Sequence, residues 1–203
     1  MKIVNILIKL LLLVAAIVLV YLIVGGIRKP IDFEKLRAER YKQTIDRLID
    51  IRTAQVAYKN QFGYYTPSFD TLIGFVKTAK MPIVKAIGMC PDSLTEKQAL
   101  KLGLIQRDTI YIPVMDTLFK HIKYPIEELG NIPVGTKIRF RMDTATIMTG
   151  SNVAVKVFEA KASNWDILEG LERQYIINYN AEKDSVLKVG SLETANNNAG
   201  NWE

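Results

Sequence analysis

The sequence predicts an α+β protein built from one membrane helix, one long amphipathic spine helix and a compact head with an antiparallel β-meander and short helices. Three observations carry this. Residues 10–27 run for eighteen positions without a charge. A single apolar stripe at spacings of three and four then follows. Beyond Gly63 the period shortens towards two, in segments separated by turn residues. The expected organisation is an anchor over 1–30, a spine over 31–63, a head over 64–192 and a tail over 193–203.

At 1.5 Å per residue, eighteen residues of helix span about 27 Å, close to the roughly 30 Å hydrocarbon core of a bilayer. Lys9 can snorkel to the headgroups if the helix begins as early as Val4. The alternative is a cleaved secretory signal, with Met1 to Lys9 as its basic start and Val24-Gly25-Gly26 as its processing site. The length of the apolar run and the bulky Val20-Tyr21-Leu22-Ile23 favour a retained anchor. Orientation is balanced. Arg28, Lys29, Lys35, Arg37, Arg40 and Lys42 would hold the head in the cytoplasm by charge counting. The nine-residue, signal-like start and the interleaved acids Asp32, Glu34 and Glu39 favour export, which is the expectation adopted.

The formal charge of +6 is mostly anchor flank. Lys2, Lys9, Arg28 and Lys29 have no acidic counterpart before residue 31, which leaves 23 basic against 21 acidic residues in the rest. The excess suits anionic lipid, not nucleic acid, and no nucleic-acid partner is expected. With Cys90 alone, no intrachain disulfide can form.

Pro30 is expected to separate anchor from spine, with Asp32 as N-cap. Tyr41, Ile45, Leu48, Ile51, Ala54, Tyr58 and Phe62 form the spine's stripe, narrow in its first third and richer later. A charged stalk that docks its second half on the head is therefore expected, and Tyr41, Ile45 and Leu48 are the positions assigned to a partner helix. A short helix over Phe69–Lys77 starts at Ser68, and another is expected over Thr95–Leu102 with Gly103 as its stop. Strands are expected over 108–114, 137–142, 145–149 and 153–160, with turns at Asp143-Thr144 and Gly150-Ser151-Asn152. Tyr175–Asn180 and Val186–Val189 read as a further hairpin. The Asn-rich tail is expected to be ordered only if docked: it is an assembly element if Trp202 docks on a neighbour and merely flexible if not.

Catalytic, cofactor and metal sites are expected to be absent. His121 is the only histidine, and a Cys90–His121 thiol pair loses to a buried Cys90 and a surface His121 beside Lys120 and Lys123. Two ligands of that type do not make a zinc site. No Walker, G-x-G-x-x-G, G-x-S-x-G or EF-hand pattern occurs. Glu127 and Glu128 are adjacent, which does not aim two carboxylates at one bond. Asp166, Glu169, Glu172 and Arg173 beside Trp165 read as a solvated helix face. The turn Tyr64-Tyr65-Thr66-Pro67 is the candidate ligand contact, with Tyr64 and Tyr65 stacking on a peptide or glycan.

The stretch Ile51-Arg52-Thr53-Ala54-Gln55-Val56-Ala57-Tyr58-Lys59-Asn60-Gln61-Phe62-Gly63-Tyr64-Tyr65-Thr66 resembles the end of the spine helix in pseudopilins and type IV pilin-like proteins. The order of membrane helix, spine and antiparallel strands is similar too. The first apolar stretch has no acid and no Gly-aromatic processing site, so a filament is not implied. The stretch from Pro91 to Leu104 and the ending from Lys188 to Glu203 resemble an uncharacterised family of membrane-anchored proteins from Bacteroidota-type bacteria. That resemblance implies a single-pass protein of the bacterial inner membrane and brings no activity. Together these readings lead to two expectations: a non-enzymatic scaffold subunit that binds a protein partner or itself, or a periplasmic peptide- or peptidoglycan-binding module.

Overall fold

A computed structural model describes residues 2–88, 95, 98–99, 102, 104–135 and 137–203. Helix α1 runs without interruption over Lys2–Phe62, 61 residues and about 90 Å of rod. Pro30 lies inside it, which corrects the expected break. Proline removes one backbone hydrogen bond, the one that would reach the Gly26 carbonyl. That carbonyl sits where the charge-free run ends, at the edge where water can take the place of the missing donor. Anchor and spine thus differ in chemistry and not in conformation. The side chains of residues 6–24 are exposed, and this part of the helix is long and apolar enough to cross a membrane. Gly63, at φ 78°, ends the rod and donates its N–H to the Lys59 carbonyl at 2.7 Å.

The head is wrapped on the second half of α1, where Leu48, Ile51, Ala54, Ala57 and Tyr58 are buried. Helix α2, Phe69–Thr78, begins as its sequence predicts, with the Ser68 hydroxyl accepting from the Thr71 N–H. Its Leu72, Ile73, Phe75 and Val76 complete the stripe's burial. Strands β1, Lys80–Gly88, and β2, Ile105–Pro113, then form a two-stranded antiparallel ribbon with Ile83 opposite Ile110. β2 contains most of the strand expected there; β1 was not foreseen, because Pro82 argues against a strand. Proline is tolerated because β1 is an edge strand with no third neighbour among the described residues. Cys90, residues 96, 97, 100 and 101 of the expected helix over 95–102, and most of the Pro91–Leu104 stretch lie outside the described residues.

After the short helix α3, Val114–Leu118, and a 3-10 turn over Ile126–Gly130, the chain enters a three-stranded antiparallel sheet. Strands β3, Arg141–Met148, and β4, Ala154–Ser163, form a hairpin, and β5, Val186–Gly190, pairs on the other side of β4. The expected turn at Asp143-Thr144 is instead the middle of β3, with Asp143 opposite Glu159. The reversal falls at Gly150-Ser151-Asn152, where Asn152 supplies the φ of 58° that a tight turn needs. Phe158 and Ala160 of β4, with Leu187 and Val189 of β5, turn their side chains into the core shared with α1.

Two helices fill the gap between β4 and β5: α4, Asn164–Ile167, and α5, Arg173–Glu182. The expected strand over Tyr175–Asn180 is therefore helical. Tyr175, Ile176 and Tyr179 fall on one helical face and pack against the core, a contact that outweighs the strand preference of Tyr and Ile. The tail docks on its own chain: Gly190 donates to the Ala199 carbonyl at 3.0 Å, and Asn201 to the Lys188 carbonyl at 3.1 Å. Trp202 packs against the core of the same molecule.

Candidate functional site

The three positions assigned to a partner helix are occupied internally. Leu48 has no exposed surface, and Tyr41 and Ile45 are half-buried against the core. Tyr41 donates its hydroxyl to Asn164 Oδ1 and meets the Tyr179 ring edge-on at 5.8 Å. α4 and α5 lie along the lower spine and cover the stripe at Tyr41.

The two tyrosines of the candidate ligand turn are separated by the fold. Tyr65 is buried, its ring 4.8 Å from Phe158 and its hydroxyl within 3.2 Å of Asn198 Oδ1. Tyr64 is exposed and meets Tyr58 edge-on at 5.7 Å. They flank a shallow cavity of about 290 Å³ with Thr144 and Lys156, where one tyrosine is available to stack and not two.

Burial of polar side chains marks a cluster that the sequence did not reveal. Asp50, on the buried face of α1, has its carboxylate 3.0 Å from His121 Nε2 and accepts the Tyr124 hydroxyl at 2.5 Å. One turn earlier Arg47 is buried, with its guanidinium 3.4 Å over the Tyr124 ring, and it donates to the carbonyls of Glu128 and Asn131. Burial pushes the Tyr124 phenol well above its ordinary range, helped by its bond to Asp50, and lowers the Arg47 guanidinium. The phenol is thus neutral at pH 7, and Arg47 spends donors on main-chain carbonyls. A cleft of about 680 Å³ opens beside them, bordered by Gln43, Asp46 and Lys123. The arrangement pins the 119–131 segment to the spine; Asp50 lies 71 residues from His121, so no local pattern could have joined them.

The other sequence candidates are dispersed. Glu127 pairs with Lys77, while Glu128 offers its carbonyl to Arg47. Asp166 and Arg173 lie on different helices, and Gly170 at φ 80° turns the chain between them. No cluster of three or more His, Cys, Asp or Glu side chains with metal-binding geometry occurs among the described residues. A second cleft of about 780 Å³ runs between α1 and the tail, bordered by Arg52, Lys59, Asn198 and Glu203. Arg52, on its border, pairs with Glu203 at 2.6 Å.

The largest departure from ordinary surface chemistry in the head is the β1–β2 ribbon. Alternation puts Ile83, Ile87 and Ile110 on one face and Val84 and Tyr111 on the other. All five are exposed, Val84 at 57% and Tyr111 at 65%. A strand pair normally buries at least one such face. The ribbon is held at its base, where Val114 is buried and donates its N–H to the Ala79 carbonyl at 3.0 Å. Sequence reading had no access to this surface, since β1 went unrecognised.

No protein-family model matches the chain, and comparison with curated proteins and with solved structures finds no match either.

Proposed function

We propose that this protein is a non-enzymatic, single-pass scaffold of the bacterial inner membrane, with an exported head that presents the β1–β2 ribbon to a protein partner. The observation that carries the reading is the ribbon's apolar exposure on both faces. Nine residues of strand are about 30 Å long, and two strands are about 10 Å wide, giving about 300 Å² a face. A stable interface needs about 800 Å² from each partner, so one face is too small. Both faces together approach that area. The partner that fits is a protein with an apolar cleft that receives the ribbon from both sides, not a flat surface or a second ribbon. Anchoring by α1 would confine the search for that partner to the membrane plane, and the spine would set the ribbon's height.

The test is the native mass of the full chain after mild detergent extraction, together with its melting temperature. Val84→Glu with Tyr111→Glu should reduce an assembly to the mass of the single chain while melting unchanged, since neither side chain is in the core. The reading fails if the unaltered chain already runs as a monomer, or if the double variant keeps the larger mass. Val84→Ser is the milder variant should the double one melt early. Protease added to spheroplasts should cleave the head; protection until lysis would place it in the cytoplasm and end the exported form of the reading.

A further inference from the structure

We infer that the partner adds a strand of its own to the β2 edge of the ribbon, so that the cleft receiving the ribbon has an extended segment as its floor. This rests on the ribbon being the docking arm and states which way it enters. A cleft that covers both faces also covers the edge that lies between them. An edge strand carries main-chain N–H and C=O groups that point away from its neighbour, and burying them unpaired costs as much as lost hydrogen bonds. The apolar walls of the cleft satisfy none of these groups. A strand from the partner satisfies them in a row.

The bonding at the ribbon's base shows which residues turn outward. Val114 lies opposite Ala79, in step with the register that pairs Lys80 with Pro113, and its N–H donates to the Ala79 carbonyl at 3.0 Å. In an antiparallel pair, bonded and non-bonded positions alternate. Ile83–Ile110 and Lys85–Asp108 are therefore bonded pairs. Pro82–Tyr111 and Val84–Thr109 are not, and these four residues direct their main-chain polar groups away from the ribbon. Both prolines of the ribbon, Pro82 and Pro113, fall on the outward set, where no ladder bond is lost. The two edges then differ. Val84 and Thr109 each have an outward N–H, but one step nearer the base Tyr111 has one and Pro82 has none. β1 also carries Lys80 and Lys85, both exposed, and Lys and Pro are what keep edges from pairing. β2 has its proline only at the base, and its Thr109-Ile110-Tyr111 run favours strand. No third strand lies beside it among the described residues. β2 is the edge that accepts a strand, and β1 is the edge left in water.

Val84 and Thr109 face each other across the ribbon, so proline at either position removes one outward N–H at the same level and no ladder bond. The full chain and each variant are extracted in mild detergent and compared by native mass. Thr109→Pro should fall to the mass of the single chain. Val84→Pro, which keeps that position apolar, should retain the assembly. An assembly that survives Thr109→Pro overturns the strand addition and leaves the ribbon as docking arm. Should both prolines disturb the ribbon itself, hydrogen exchange decides without substitution. In the assembled, unaltered chain the Thr109 and Tyr111 amides should exchange severalfold more slowly than that of Val84. Equal rates there overturn the strand addition. An unaltered chain that runs as a monomer removes the docking arm and the added strand together.

Discussion

Asp50 holds two hydrogen bonds on one buried carboxylate, yet the two donors differ in what they would lose. Tyr124 is mostly enclosed, whereas the His121 imidazole is largely open to water and can replace its partner. Asp50→Ala should therefore cost about 1–3 kcal/mol through the stranded phenol. His121→Ala should stay within about 0.5 kcal/mol. Thermal melts of the detergent-solubilised chain would separate them, Asp50→Ala falling by several degrees. Equal losses would mean that the histidine, not the phenol, anchors the segment. The geometry favours the phenol because Arg47 stacks on that same ring, so its displacement would loosen two buried groups together.

At the scale of the element, the ribbon and the three-stranded sheet should behave differently. A lone two-stranded ribbon is marginal in water, while β4 is paired on both sides and packed on α1. Hydrogen exchange of the purified chain should show amides of 80–88 and 105–113 exchanging well before those of 154–163. Equal protection would show the ribbon covered in the free chain and would withdraw it as a docking arm. The same contrast explains what was legible in the sequence. Helix α2 and the two stretches of α1 were, though not their unbroken join through Pro30, because their apolar spacing and the Ser68 cap are local signals. β5 was as well, and its partner was not: β-rich residues over 175–180 imitate a strand until the contact with Phe33 and Tyr41 makes them a helix. The docked tail and the Asp50 cluster depend on residues more than seventy positions apart or on backbone bonds with no side-chain signature. The candidate ligand turn was legible as an aromatic pair but not as a pair with one member buried.

For the whole molecule, the unbroken α1 ties the head to its apolar segment in a fixed geometry. Each residue added between Lys29 and Asp32 would turn the head about 100° around the helix axis and lift it about 1.5 Å. One inserted alanine changes the direction in which the ribbon points; seven return it to within about 20° but raise the head by about 10 Å. Angular phase and elevation can thus be set separately by counting residues. A partner that reads azimuth in the membrane plane should be lost with one alanine and regained with seven. The length of this segment is then an address in two coordinates for the partner, a bearing and an altitude.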